Sequence, residues 1–469
     1  LKRLGAGRIQ QCADHDRLAG QPARAADEGG VGALAGAGRA AEQNDFLGET
    51  QIVPTDILHE VVPDRVEDQL GVLDLHATGQ LRARQRAGHA EASAGVGRAA
   101  DDRYDPVSRV DLARAQALAA HPDHPERAPL PTFTTPAALF AATHPDVAII
   151  ATPHPQHEEG ALAAAAAGIH VLCEKPIAHT PASADKIVQA CRDAGVLLGM
   201  DFNQRLTPGY VKAREMIAHG VIGRIYRVNF IASGWYRTQT YYNSGGWRGT
   251  WAGEGGGVIM NQAPHHLDLY CWLAGTPDRI KAVARTRIHE IEVENTVAAL
   301  LEHGDDRVDT FYTTTSEWPG RTEFLFRGTL GTLEVIDGRI RHYKMARSLE
   351  ANLLEGAHGV APEGEWHDIE VDPPARGLGQ HKEMILRFCA AVRLGDPSLL
   401  VATGEDGVRA LELGNAMYLA SHHDATVTMP VDRGDYDAFL AEKVAEVARG
   451  GSRKRAGVVE YRGAAPPSV

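Results

Sequence analysis

Aromatic residues are almost missing from the first part of this chain. Residues 1–109 hold two, Phe46 and Tyr104, and no tryptophan, although aromatics make up 6% of the 469 residues overall. Lysine is scarce there too: Lys2 stands alone against a dozen arginines. No apolar run reaches the roughly 18–20 residues a membrane-spanning helix needs. The most Ala-rich stretch, Ala161–Ala167, stops at Gly168. The N-terminus lacks the apolar core of a secretory signal. The five cysteines (Cys12, Cys173, Cys191, Cys271, Cys389) are odd in number and include no C-x-x-C pair. That argues against a disulfide framework or a zinc site and fits reduced thiols in the cytoplasm. Nor is there a basic surplus. Lys plus Arg is 48 against 61 Asp plus Glu, a net charge of −13, which argues against nucleic-acid binding through phosphate contacts.

What is present is ordinary for a globular protein: 43% hydrophobic and 23% charged residues. At about 150 residues per domain the length implies two or three domains. The composition divides unevenly. Residues 1–109 are rich in Ala, Gly, Arg and Asp, and only Ile52–Leu75 carries enough Val, Ile and Leu for a short helix or two. This stretch is expected to be poorly structured and foreign to the rest, through a shifted reading frame or a mis-joined gene. That expectation also fits a chain starting at Leu1.

From residue 110 the pattern becomes regular. Helices are predicted at Asp111–Ala120, Pro136–Ala142, Gln156–Ala167 and, behind an N-cap at Thr180, from Pro181 to Ala194. Between them lie short apolar runs, Asp146–Thr152, His170–Glu174 and Val196–Phe202, of the kind buried on both faces of a parallel sheet. Residues 110–206 thus read as part of a doubly wound α/β domain. Its carboxyl edge carries Thr152, Glu174 and Phe202, where such sheets bind ligands. Residues 207–440 read as a second α/β domain: a helix at Pro208–His219, then strands from Arg224–Ser233 through Arg339–Tyr343 in an open, largely antiparallel sheet. Late helices follow at Gly379–Leu394 and Gly404–Ser421. Residues 441–469 read as a flexible tail.

Two clusters carry chemistry. Glu174-Lys175-Pro176 ends a core strand, which aims Lys175 into the ligand crevice. Gly255-Gly256-Gly257 precedes Asn261, His265, His266 and Asp268, and the four-residue spacing puts Asn261 and His265 on one helical face. With ATPHPQH (Ala151–His157), FNQRLTP (Phe202–Pro208), YYNSGGWRGTWAGEGGG (Tyr241–Gly257) and ALELGNAMYLAS (Ala410–Ser421), these clusters resemble the Gfo/Idh/MocA family over roughly residues 110–440.

The resemblance implies a Rossmann-like sheet, NAD or NADP as cofactor, and oxidation of a secondary hydroxyl on a sugar, cyclitol (inositol-like) or related polyol. Lys175 would donate to the reacting oxygen and His265 would be the general acid/base. Asn261 would orient His265, where the family commonly has Asp. Thr152, Pro153, His154, His157, Glu174, Lys175, Pro176, Asn203 and Arg205 would line the cofactor. Tyr236, Trp247 and Arg248, with Asn261 and His265, would meet the substrate. The residue chemistry agrees: His titrates near neutral pH, and a lysine cation steadies a developing alkoxide.

The family's opening strand and G-x-G-x-x-G do not stand where expected. Gly5-Ala6-Gly7 is followed by Gln10 in place of the third glycine, and Arg109 occupies the ribose-binding acidic position. The Rossmann unit therefore reads as incomplete. The competing reading is a carbohydrate-binding or scaffold relative that has lost cofactor binding. A zinc site at His265 and His266 is disfavoured, because adjacent helical residues point about 100° apart. A homo-oligomer formed on the open sheet face is the expected assembly.

Overall fold

The computed structural model describes residues 73–74 and 133–451, apart from 245, 305, 357–358 and 372–378. The expected helix Asp111–Ala120, the glycine near-misses and the last residues, 452–469, lie outside the described residues.

Four parallel strands form the first sheet, in spatial order β1 (Leu73–Asp74), β2 (Val147–Ile150), β3 (His170–Cys173) and β4 (Leu198–Met200). Every residue of β2 and β4 is buried, which is why these runs are apolar throughout. The helices His157–Ala166 and Pro181–Asp193 make the crossovers. The second begins as its sequence predicts: Thr180 Oγ1 accepts from the Ser183 N–H at 3.2 Å, and Pro181 follows at the first helical position. Leu73 and Asp74, from the segment taken as foreign, pair in register with Ala148 and Ile149.

The second sheet has nine strands: β5 (Ile225–Ala232), β6 (Arg279–Arg285), β7 (Thr296–Glu302), β8 (Val308–Thr314), β9 (Thr322–Gly328), β10 (Gly331–Ile336), β11 (Arg339–Met345), β12 (Gly364–Ile369) and β13 (Val427–Thr428). Their spatial order is β12-β11-β10-β9-β5-β8-β7-β6-β13. All neighbours are antiparallel except β5 and β8. One face packs on the helices Pro264–Ala274 and Gly404–His423. The other leaves Val283 and Leu300 about half exposed.

The boundary at residue 206 does not separate two independent cores. The helix Gln380–Leu394 puts Met384 and Phe388 against Val147, Ile149 and Leu172 of the parallel sheet. The Met200 N–H donates to Ala402 O at 3.0 Å. Thr403 then caps the helix Gly404–His423 through a reciprocal pair with Asp406. Late sequence thus completes the early domain.

The flexible tail from residue 441 is also corrected. A helix runs from Arg433 to Gly450, capped by Asp432, whose side chain accepts from the Asp435 N–H at 2.9 Å. Charged residues at its surface hid the signal. Tyr436, Phe439 and Leu440 are buried, and Phe439 packs edge-on to Trp251 with ring centres 5.7 Å apart.

Candidate active site

The carboxyl ends of β2, β3 and β4 open onto the Gly-rich turn of the second sheet's helical layer. Glu174 and Lys175 follow β3 directly, and the Lys175–Pro176 peptide is cis. Lys175 Nζ donates to the backbone carbonyl of Asn261 at 2.7 Å. This bond joins the two clusters read from the sequence.

Three features shape the glycine turn. Gly255 has φ +76°, closing the short helix Trp251–Glu254. At Gly257 a Cβ would sit 1.7 Å from Glu294 O, so no side chain fits. The buried Glu294 carboxylate accepts from the N–H groups of Gly257 and Ile259, both at 3.0 Å, and from the Tyr418 hydroxyl at 2.8 Å. Burial pushes its pKa up to about 7. The backbone then makes one helical turn, with the Asn261 N–H on Gly257 O at 3.0 Å, before the helix Pro264–Ala274 begins. Asn261 therefore precedes the helix that carries His265, but keeps helical spacing to it. His265 is half-buried, edge-on to Phe202 with ring centres 6.2 Å apart.

The predicted cofactor residues divide into two groups. Thr152, Pro153, Glu174 and Asn203 sit at the sheet edge. Thr152 Oγ1 and Asn203 Oδ1 are buried without a hydrogen-bond partner in the protein. Orphaned polar atoms at this edge suit the polar groups of a nicotinamide ribose, so these residues fit that end of the cofactor. Asn203 Nδ2 meets His381 Nε2 at 2.8 Å, and His381 Nδ1 meets Asp201 at 2.8 Å. Glu174, Asp201 and His381 lie close enough to share a cation, but both ring nitrogens of His381 are already engaged.

The other group is engaged in contacts within the protein. Arg205 is buried and gives its Nε and one Nη to Asp268 at 2.9 and 2.6 Å; the other Nη goes to Asp406 and Val401 O. With its donors committed inside the protein, it braces the helices rather than holding a cofactor. His157 is 1% exposed, and both ring nitrogens face backbone carbonyls, Pro176 O at 2.9 Å and Thr152 O at 2.7 Å. It pins the strand ends together; Pro176, buried beside it, contributes its carbonyl to that joint. His154 Nδ1 contacts Glu254 O at 3.0 Å, linking the parallel sheet to the glycine turn. Burial, with His157 and Lys175 nearby, holds its pKa down at about 3. His266 is held at about 3 by burial and by Lys175. Both are neutral at pH 7 and leave Lys175 as the local cation of that group.

In the loop before the glycine turn, Arg248 lies over the rings of Trp247 and Tyr241 at 4.4 and 4.7 Å. The Tyr241 hydroxyl accepts from Arg248 at 2.8 Å and from Gln262 at 3.1 Å. Trp247 stands edge-on to His154. Tyr236 is 43% exposed, while its neighbour Trp235 packs on His266 with ring centres 4.4 Å apart. Sequence reasoning missed Tyr241, Gln262, Glu254 and His381. Glu254 and Gln262 had a signal, since each adjoins a motif residue. His381 had none, being 178 residues from its partner Asn203.

A parallel ligand-binding sheet whose edge faces a glycine turn on an open-sheet partner is the architecture of two-domain α/β oxidoreductases. Residues 86–202 match the oxidoreductase family with an NAD-binding Rossmann fold, and residues 210–334 match the Gfo/Idh/MocA C-terminal domain. Together these matches span just over half of the sequence, and the chain belongs to the Gfo/Idh/MocA family. The first match starts at residue 86, inside the stretch set apart as foreign.

Among curated relatives, the D-glucoside 3-dehydrogenase of Escherichia coli K12 is 29% identical over 49% of this chain. The 1,5-anhydro-D-fructose reductase of Ensifer adhaerens is 29% identical over 59% of this chain. The chain spans 58% of the length of the first and 77% of the second. The WlbA dehydrogenase of Bordetella pertussis, solved with NADH and UDP-GlcNAcA, is 26% identical. Its TM-score is 0.55, covering 69% of this chain and 89% of that one.

Proposed function

We propose that this protein is an NAD(P)-dependent dehydrogenase that reversibly oxidises a secondary hydroxyl of a sugar or related polyol. The observation that carries this reading is the Lys175–Asn261 bond, which brings the sheet-edge cation to the turn leading into His265. The relatives named above act on sugars and their derivatives by their names, which supports the substrate class.

The chemistry divides among few groups. The cofactor supplies the hydride-accepting centre, a task no side chain performs. Thr152, Glu174 and Asn203 would hold its nicotinamide end. Lys175 donates a hydrogen bond to the substrate oxygen and steadies it as alkoxide character develops. His265 takes the hydroxyl proton in oxidation and returns it in reduction. Trp247 offers an aromatic face to a sugar ring, Arg248 and Tyr241 offer polar contacts, and Tyr236 covers the outer side. Copies of the chain would associate through the open sheet face that exposes Val283 and Leu300.

Fluorescence titration with NADH and NADPH tests the first requirement. Turnover of a sugar panel, in wild type and in Lys175→Ala and His265→Ala, tests the second. The expected outcome is cofactor binding retained in both variants, with turnover lower by roughly 10²–10⁴-fold. Failure to bind either cofactor leaves the competing reading, a relative without cofactor chemistry.

A further inference from the structure

Glu254 is a buried carboxylate that the reaction as described does not use. It ends the short helix Trp251–Glu254 and is 1% exposed. One carboxylate oxygen accepts from the side-chain amide of Asn261, and the other accepts from the Gly249 N–H at 2.6 Å. Its own backbone carbonyl meets His154 Nδ1. Asn261 in turn receives Lys175 Nζ on its main-chain oxygen. One residue thus ties the Glu254 carboxylate to the Lys175 ammonium.

We propose, on the dehydrogenase reading above, that Glu254 is a positioning residue whose carboxylate orients the Asn261 amide and balances the charge of Lys175. The geometry dictates the first part. An amide has its donors on one side and its acceptor on the other. With Asn261 Nδ2 held on Glu254, Asn261 Oδ1 must face away from that carboxylate, and His265 follows one turn later. Charge dictates the second part. Asn261 is neutral and cannot offset Lys175, whereas an ionised Glu254 can.

The arrangement depends on pH. Burial pushes the Glu254 pKa up to about 7, against the Gly249 N–H, Asn261, Arg248 and Lys175, which pull it down. Lys175 faces it from the sheet edge, Arg248 from the preceding loop, His154 from the turn after β2, and Tyr242 from the helix Gln239–Asn243. A carboxylate accepts from both of its donors; a carboxylic acid must give up an acceptor site to its own proton. Protonation therefore loosens either Asn261 or Gly249.

The experiment has two arms. In the first, kcat and KM are measured against pH for wild type, Glu254→Gln and the double variant Glu254→Gln/Asn261→Asp. Glu254→Gln is expected to lose roughly ten- to hundredfold in kcat with KM little changed. It also loses the part of the acid limb that Glu254 sets, while the general base keeps its own, and the double variant, with its carboxylate moved to position 261, recovers part of kcat. An unchanged profile in Glu254→Gln, or no recovery in the double variant, overturns the proposal.

The second arm needs no turnover. Infrared titration follows the carbonyl band of a buried carboxylic acid in wild type, identified by its shift in Glu254→Asp, and again in Lys175→Met. Removing Lys175 should raise the midpoint by at least half a pH unit; an unmoved midpoint overturns the proposal. A chain that binds cofactor yet oxidises no sugar defeats the dehydrogenase reading alone, and the infrared arm still decides Glu254. The same arm decides it if Glu254→Gln does not fold.

Discussion

Replacing Arg205 with alanine should unfold this protein far more readily while leaving its cofactor chemistry as a secondary casualty. The guanidinium is 5% exposed and faces Asp268, 1% exposed, and Asp406, 13% exposed. Breaking a buried pair by removing one partner costs about 3–5 kcal/mol, because the surviving charge stays buried without compensation. With an unfolding entropy of about 2.1 cal/mol/K per residue, a chain this size loses roughly 3–8 °C in Tm.

The pH dependence gives a second signature. Burial already holds the Asp268 carboxyl at about 6; without Arg205 to pull it down beside Asp406, its folded pKa rises further above the unfolded value near 3.9. The folded variant then binds more protons than its unfolded chain, so its stability falls as pH rises. The gap to wild type should be widest at pH 7 and narrow below about pH 5. Thermal and urea unfolding at several pH values, with NADH titration of the folded fraction, separate the possibilities. An unchanged Tm together with lost NADH affinity would refute the bracing role and return Arg205 to the cofactor. Lys at this position should rescue little, since it lacks the fork that spans two carboxylates.

Other perturbations follow from the same reasoning. For Asp406, burial alone would raise the pKa, but Arg205 overrides it and holds the group at about 2. Its stabilising contribution is full above pH 4 and should vanish as pH falls through about 2, read as a steepening of acid unfolding. Glu294→Ala strands the Ile259 N–H and the Tyr418 hydroxyl proton, at about 1–3 kcal/mol each, leaves the Gly257 N–H only the Tyr418 oxygen at 3.1 Å, and should lower the urea midpoint. Gly257→Ala forces a Cβ into Glu294 O and should abolish turnover in whatever fraction folds, judged by circular dichroism and assay. Phe439→Ala empties the contact with Trp251 and Tyr418 and should cost about 3–5 kcal/mol in equilibrium unfolding.

Much of the fold could be read from the sequence where one signal dominated. Buried strands such as Val147–Ile150 announce themselves as unbroken apolar runs, and the Thr180-Pro181 start marks its helix to the residue. The expected strand Arg224–Ser233 came out as Ile225–Ala232, one residue shorter at each end. Lys175 and His265 stood out as candidates because each belongs to a motif with a defined place on an element. What stayed hidden depends on distance along the chain. Arg205 looked like a sheet-edge ligand until Asp268 and Asp406 arrived from 63 and 201 residues away. His157 read as a cofactor residue because nothing local reveals that two carbonyls take both ring nitrogens. The helix Arg433–Gly450 was lost among its charges, since only three of its side chains are buried.

The way Met384, Phe388 and the segment at Ala402 finish the parallel sheet bears on how the protein is made. A ribosome delivers β2, β3 and β4 well before the helix Gln380–Leu394 that covers their apolar face. During that interval Val147, Ile149 and Leu172 have no native cover, so the nascent chain is a natural client for a chaperone. The same order means that a fragment ending at residue 206 would expose this face permanently and aggregate, and that a stop codon before residue 380 would damage the first domain as severely as the second.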